Sequence, residues 1–148
     1  MITTKEQNVI NQAKEILSRE FMREAVLTSS SATKEYLKLH FAGLEHEMFV
    51  VVFLDNQHQV IAIENMFRGT IDGAAVYPRE VVKRSLELNA AALLLAHNHP
   101  SGVSEPSMAD KNITKKLKDA AGLLDVRVLD HLVVGDDTVV SFAERGLI

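Results

Sequence analysis

Two histidines and an aspartate stand close together in the second half of the chain, at a spacing suited to metal chemistry. His97 and His99 follow the apolar run Ala91–Leu95, which predicts a buried strand. Side chains at positions i and i+2 of a strand point to the same face, so both imidazoles can bind one ion. Asp110 lies at a predicted helix start that brings its carboxylate within reach of that ion. Two histidines, one carboxylate and a water in the fourth position are typical of a hydrolytic zinc site.

Ser107 precedes Asp110 by one helical turn and has two interpretations. Its hydroxyl can donate to the oxygen that becomes negative in a tetrahedral intermediate. A serine followed three residues later by an acid also fits a helix cap, and the two roles are compatible. Activating a water further requires a group that takes its proton and returns it to the leaving group, for which a glutamate is suitable. The pattern thus predicts one Zn²⁺ per chain, with a serine and a glutamate as catalytic groups.

The composition bounds the class of protein. With 148 residues, 47% hydrophobic and 24% charged, the chain is long enough for one compact domain with a substantial core. It contains no cysteine, which excludes disulfides and thiolate metal sites. A formal net charge of −4 gives no general attraction to nucleic acid or to an anionic membrane. Without a signal peptide pattern or an apolar run of ~20 residues, we expect a cytoplasmic protein with no membrane partner.

Hydrophobic periodicity and turn signals predict an α/β (α+β) fold in which helices flank a mixed β-sheet. The predicted elements, in chain order, are a helix from Thr4 to about Glu24, a polar break at Thr28–Ser31, a helix ending near Gly43, strands at Glu47–Asp55 and Gln59–Ile63, a loop or bent strand at Arg68–Gly73, a helix at Tyr77–Asn89, a strand at Ala91–Ala96, a helix at Ser107–Ala121, strands at Arg127–Val134 and Thr138–Phe142, and a terminal helix.

The spacing His97-x-His99, then Ser107-x-x-Asp110, resembles the JAMM signature of the JAB1/MPN metalloprotease fold. The chain is also similar in sequence to the bacterial RadC family. The similar segments are His97–Gly102, Phe67–Thr70, Tyr77–Val81, Asp130–Gly135 and Ser141–Gly146. The resemblance covers about residues 31–148 and implies a JAMM/MPN (cytidine-deaminase-like) domain there, after an N-terminal helical extension over residues 1–30. Longer family members carry an additional helix-hairpin-helix region, so the chain resembles the short form.

The resemblance also implies a reaction and an acid/base. JAMM proteins hydrolyse amide bonds of peptide or isopeptide substrates, and a glutamate at the start of the first core strand exchanges the proton. Glu47 matches that position, and Glu45 and Glu64 are the alternatives. The resulting prediction is a zinc metalloprotease that acts on a peptide or protein.

Two other function classes stay open. RadC proteins have traditionally been associated with DNA repair, and a cluster of lysines follows the metal motif at Lys111, Lys115, Lys116 and Lys118. We interpret this cluster as a solvated helix face, since the chain is net acidic and shows no aromatic ladder for base stacking. A non-catalytic interaction module of the same fold is the other alternative. For His131, a core position and a position contacting a metal ligand are equally compatible with the sequence.

Overall fold

The structure, a computed structural model, describes residues 1–23, 30–69 and 74–148. Within these ranges the elements are α1 (Thr4–Arg23), α2 (Ser30–Phe41), β1 (Met48–Leu54), β2 (Val60–Arg68), α3 (Pro78–Glu87), β3 (Ala92–Asn98), α4 (Met108–Gly122), β4 (Arg127–Val134) and β5 (Val139–Ser141).

The strands form one mixed sheet in the order β2-β1-β3-β4-β5. β3 and β4 are parallel and are connected through α4, whereas the other neighbouring pairs are antiparallel. β1 and β3 lie inside the sheet, and their almost continuous apolar sequences suit strands that are covered on both faces. The predicted mixed sheet flanked by helices is therefore confirmed.

Each face of the sheet has its own hydrophobic core, and alternate residues of β3 belong to different faces. Leu94 and Ala96 pack with α2 on one face. Leu93 and Leu95 pack on the other face, together with residues of α3 and α4. His97 continues the second set by alternation, so its ring projects from the face of the sheet on which α4 packs.

Several boundaries differ from the sequence expectation. β3 continues through His97 and Asn98, because both residues still pair with β4 and His97 also pairs with Phe49 of β1. β2 continues to Arg68, which pairs with Met48. The predicted loop or bent strand at 68–73 and the predicted polar break at 28–31 lie partly outside the described residues. Within the described part, 30 and 31 belong to α2 and 68 ends β2.

The predicted terminal helix is wrong, since residues 142–146 form turns. Side chains hold the backbone N–H groups that a helix would use: Ala143 donates to Asp130 Oδ1 at 2.9 Å, and Glu144 donates to Ser141 Oγ at 3.1 Å. Gly146 then adopts a φ of +69°, which a helix does not allow.

The helix predicted near the N-terminus is confirmed as α1. Its start is capped reciprocally, with Thr3 N–H donating to Glu6 Oε2 and Glu6 N–H donating to Thr3 Oγ1, both at 3.1 Å. α1 contacts α2 and β2. No helix in the described part of the chain combines the length and apolarity needed to cross a membrane.

Candidate metal centre

The two motif histidines converge at the end of β3. His97 is only 1% exposed, and its Nε2 atom lies 3.0 Å from His99 Nε2. The His97 ring stacks on Phe49 of β1, with the ring centroids 6.0 Å apart and an interplanar angle of 12°. The backbone N–H of His99 donates to Val134 O of β4 at 2.9 Å. Neighbouring strands on both sides of β3 therefore hold the two imidazoles in place.

Asp110 reaches the histidines from the first turn of α4. Ser107 is the N-cap of this helix: its Oγ accepts the Asp110 N–H at 3.0 Å, and Asp110 Oδ2 accepts the Ser107 N–H at 2.8 Å. The same carboxylate lies 3.1 Å from His97 Nε2 and 3.0 Å from His99 Nε2. Burial acts to raise the pKa of Asp110, but its hydrogen bonds to both histidines outweigh burial and hold the pKa below its ordinary value. The helix cap thus positions a carboxylate that stays charged.

His99 has a defined orientation because of the loop that follows it. Its Nδ1 lies 2.7 Å from Val103 O, and a carbonyl oxygen only accepts, so the Nδ1–H of His99 donates. In the neutral ring, Nε2 then carries a lone pair directed at the cluster. The hydrogen bond to Asp110 raises the pKa of His99, although burial opposes this effect.

The donor set fits a zinc ion. The ligand atoms of His97, His99 and Asp110 all lie within 4.8 Å of one another. Tetrahedral zinc with bonds of about 2.0–2.1 Å separates its ligand atoms by about 3.3 Å, close to the 3.0–3.1 Å between the His97, His99 and Asp110 ligand atoms here. Imidazole nitrogen and carboxylate oxygen are ligands that zinc prefers in the absence of thiolates. The predicted grouping of the three residues is therefore confirmed as one that can hold a metal ion, whereas zinc as its identity stays a prediction.

Glu47 stands beside this cluster. The antiparallel pairing of Phe49 with His97 brings the start of β1 next to the end of β3. Glu47 Oε1 consequently lies 4.0 Å from His97 Nε2. Burial raises the pKa of Glu47, which moves its proton exchange closer to neutral pH. Its role as acid/base stays a prediction, but its position is suited to it.

The alternative glutamates occupy different surroundings. Glu64 forms an ion pair with Arg84, with Oε2 and Nη2 2.7 Å apart. Glu45 is exposed to solvent. Of the three glutamates, Glu47 lines the cleft at the metal cluster. The structure therefore favours Glu47 over both alternatives.

A cleft of about 510 Å³ opens over the cluster. Its polar wall includes Ser107, whose Oγ already accepts the Asp110 N–H, so its own hydrogen is free to point at a substrate oxygen. The remaining wall is mostly apolar and includes Phe49, Ala74, Val76, Pro100, Ala109 and Ile113. A chain segment with apolar side chains can thus lie against the site.

Comparison with known sequences identifies the family. A model described as "RadC-like JAB domain" matches residues 27–147. The chain belongs to the RadC-like JAB family. Its curated relatives include three proteins named UPF0758. This RadC-like JAB domain is 55% identical to the UPF0758 protein from Vibrio cholerae serotype O1 over 141 residues, which are 95% of this chain and 89% of the relative.

Two other UPF0758 proteins are longer. The one from Leptothrix cholodnii is 56% identical over 142 residues, covering 96% of this chain and 64% of the relative. The one from Vibrio vulnificus strain YJ016 is 59% identical over 142 residues, covering 96% of this chain and 63% of the relative. This chain thus spans less than two thirds of the length of these two relatives. The names of these relatives state no activity.

Asn98, for which the sequence predicted no role, holds the segment that carries Glu47. Its Oδ1 accepts the Met48 N–H at 2.8 Å, and its Nδ2 donates to His46 O at 3.0 Å. Because neighbouring strand residues point to opposite faces, the Asn98 side chain leaves the sheet away from His97. Its position inside the histidine motif was visible, but its partners on another strand were not.

His131 and Thr114 form a buried polar layer behind His97. His131 Nε2 lies 2.8 Å from His97 Nδ1, and its Nδ1 lies 2.6 Å from Thr114 Oγ1. His131 is therefore both a core residue and a contact of His97, a candidate metal ligand, so the two positions left open by the sequence are compatible. Burial lowers the pKa of His131 well below its ordinary value, and the nearby His97 adds to this effect. Thr114, one helical turn after Asp110, was detectable only from helical periodicity.

Proposed function

We propose that this RadC-like JAB domain is a zinc-dependent hydrolase that cleaves an amide bond in a peptide or protein substrate. The observation that carries the proposal is the convergence of His97, His99 and Asp110 within 4.8 Å at an open cleft, with Glu47 4.0 Å from His97. These residues support hydrolysis by a metal-activated water. The similarity of the motif to JAMM metalloproteases supports an amide as the bond that is cut.

Each residue has a distinct part in the proposed reaction. The chemistry supplied by a zinc ion held at these residues is Lewis acidity, which lowers the pKa of a water and polarises a carbonyl. Glu47 takes the proton as the water oxygen bonds to the carbonyl carbon, and it returns the proton to the nitrogen as the C–N bond breaks. Ser107 donates its hydroxyl hydrogen to the carbonyl oxygen as that oxygen becomes negative. The products are a carboxylic acid and an amine.

A nucleic-acid or DNA-repair role is supported less well. Lys115, Lys116 and Lys118 are exposed on α4, and Lys115 forms an ion pair with Asp119 at 3.1 Å. This arrangement is typical of a solvated helix face, and the chain carries a net charge of −4. Two-metal phosphodiesterases generally use several carboxylates as ligands, whereas the ligand cluster here contains one, Asp110.

The test combines metal content with peptide cleavage. Zinc-loaded wild type, Glu47→Gln, Glu45→Gln and Asp110→Ala are compared on a proteome-derived peptide library, with cleavage products identified by mass spectrometry. We expect one zinc per chain in all except Asp110→Ala. Turnover should fall by about 10²–10⁴-fold in Glu47→Gln and stay unchanged in Glu45→Gln, the exposed control.

Other results would overturn this proposal. Wild-type protein without bound zinc, or full turnover in Glu47→Gln, contradicts the assigned chemistry. Bound zinc without cleavage of any peptide favours the non-catalytic interaction module. DNA binding that weakens steeply with salt, and less steeply after the α4 lysines are replaced, favours the nucleic-acid role.

A further inference from the structure

The inner nitrogen of His97 faces a second histidine that is completely buried. His131 is 0% exposed, and its Nε2 lies 2.8 Å from His97 Nδ1. Phe142 stacks on the His131 ring, with centroids 4.8 Å apart and an interplanar angle of 25°. Phe49 contacts the same ring edge-on at 5.5 Å. The ring is thus confined by aromatic neighbours, and its two nitrogens have fixed partners.

The other ring nitrogen of His131, Nδ1, faces the hydroxyl of Thr114, whose hydrogen-bonding direction is unambiguous. Thr114 Oγ1 lies 2.6 Å from Asp110 O and 2.6 Å from His131 Nδ1. A backbone carbonyl only accepts hydrogen bonds, so the single hydroxyl hydrogen of Thr114 points to Asp110 O. The opposite choice would leave two oxygen atoms facing each other at 2.6 Å without a hydrogen between them. The Thr114 oxygen therefore accepts, and His131 Nδ1–H donates.

The direction of the hydrogen bond between His131 and Thr114 determines the direction of the hydrogen bond between His131 and His97. A neutral imidazole has one N–H, so a His131 that donates from Nδ1 accepts at Nε2. The atom that donates to it is His97 Nδ1–H, so His97 Nε2 is the nitrogen that faces the ligand cluster, 3.1 Å from Asp110 Oδ1. We infer that Thr114 and His131 are positioning residues that keep a hydrogen on His97 Nδ1, so that Nε2 is the nitrogen that a metal ion at the cluster would bind.

The hydrogen bonds of Thr114 and His131 connect two residues of the ligand cluster. Thr114 bonds to the backbone of Asp110, and His131 bonds to the ring of His97. His99 achieves the same orientation more simply, through one backbone carbonyl. A carbonyl of the next loop is accessible to His99 just beyond the end of β3, whereas His97 lies inside the core and requires buried side chains instead. This inference rests on the metal site of the proposed function, but it concerns hydrogen positions that exist without the metal.

The test uses Thr114→Val, which removes the hydroxyl while keeping a branched side chain, and Thr114→Ser, which restores it. Ser85→Ala is the matched control, because Ser85 is also buried and its hydroxyl donates to the carbonyl four residues earlier, at 2.7 Å in α3. Long-range ¹H–¹⁵N spectra of the metal-free proteins identify the protonated nitrogen of each imidazole. Zinc affinity is measured by competition with a chelator.

In wild type, Thr114→Ser and Ser85→Ala, we expect both His97 and His131 to carry hydrogen on Nδ1. In Thr114→Val, the His131 hydrogen should move to Nε2 and the His97 hydrogen to Nε2, with zinc bound about 10- to 100-fold more weakly. The inference is overturned if metal-free wild type has no hydrogen on His97 Nδ1, or if Thr114→Val keeps both the Nδ1 hydrogens and the zinc affinity of wild type. Wild-type protein that binds no zinc would contradict the proposed function, while the spectra would still decide the hydrogen positions.

Discussion

Asn98 and Met48 are joined by a 2.8 Å hydrogen bond from the Met48 backbone N–H to Asn98 Oδ1. Met48 follows Glu47 directly, and the Asn98 amide also donates to the carbonyl of His46, on the other side of Glu47. A third bond, from Gly69 N–H to Glu47 O at 2.8 Å, holds the Glu47 backbone itself. Asn98, whose side chain does not line the cleft, therefore helps to position Glu47 relative to the candidate ligand His97.

Asn98→Ala should separate metal binding from catalysis. It removes both side-chain bonds to the segment around Glu47 but leaves the metal ligands intact, so zinc content should stay at one per chain. A displacement of the acid/base by about 1 Å is expected to lower kcat by about 100-fold. Peptide turnover and metal analysis check this, with Asn112→Ala, an exposed asparagine on α4, as the control. Unchanged kcat in Asn98→Ala would show that the other contacts of Glu47 are sufficient.

Substitutions of Ser107 should distinguish its role as the N-cap of α4 from its proposed role as a hydroxyl donor to the substrate. Ser107→Gly removes the hydroxyl, but glycine is a tolerated N-cap, so the free energy of unfolding should fall by only about a few tenths of a kcal/mol. Loss of an oxyanion donor lowers kcat by about 10²–10³-fold. Ser107→Thr keeps a hydroxyl and should retain most of the turnover. Thermal unfolding and kcat are measured together, and a Ser107→Gly variant with wild-type kcat would leave capping as the sole role.

The sequence was informative about this site where the relevant residues are close along the chain. His97 and His99 share a strand face, and Asp110 belongs to a helix start with a recognisable cap, so alternation and capping rules predict the cluster. The sequence was not informative where a residue works through another strand or helix. The relation between Thr114 and His131 depends on how α4 packs on β4, and no local pattern contains that information.

The same difference between local and long-range contacts explains where the predicted secondary structure was wrong. The strand predicted at Gln59–Ile63 stopped before the polar residues Glu64 and Asn65, but pairing with β1 extends β2 to Arg68. The residues after β5 resembled a short helix, but Asp130 and Ser141 hold their backbone N–H groups in turns. In both places long-range contacts determine the conformation, and local propensity does not.

Gly135→Ala should disturb His99 through the loop that orients it. A methyl group at Gly135 would collide with Gly102 O and would lie 3.0 Å from Ser104 N, on either side of Val103. We expect the free energy of unfolding to fall by about 1–3 kcal/mol and zinc affinity to decrease as the Val103 carbonyl moves. Chemical denaturation and chelator competition measure the two effects.

Gly122→Ala is the matched control for this glycine. Its added methyl group would meet no heavy atom within 4 Å among the described residues, and the position lies in the last turn of α4. Alanine there should raise the free energy of unfolding by about 0.4–1 kcal/mol without changing zinc affinity. Equal zinc affinity in Gly135→Ala and wild type would mean that His99 keeps its orientation independently of this loop contact.

The titration of His40 should lower the free energy of unfolding in mild acid. Burial lowers the pKa of His40, its bond to Asn65 acts in the opposite direction, and the charge of Lys14 lowers it further. The His40 Nε2 lies 2.7 Å from Asn65 Oδ1. Because the folded-state pKa lies below the ordinary value of about 6.5, the unfolded chain binds the proton first as the pH falls. Stability is therefore fully present above about pH 6.5 and is lost as the pH falls towards the folded-state pKa.

His40→Gln removes this titration, so the free energy of unfolding should decrease less between about pH 7 and pH 5 than in wild type. One proton limits the difference in slope to about 1.4 kcal/mol per pH unit. Asn65→Ala should have the opposite effect and steepen the acid loss, because it removes the acceptor that favours the charged ring. Urea unfolding at a series of pH values compares the three proteins. Parallel pH profiles for wild type and His40→Gln would show that the acid sensitivity comes from other groups, of which His131 is the most deeply buried.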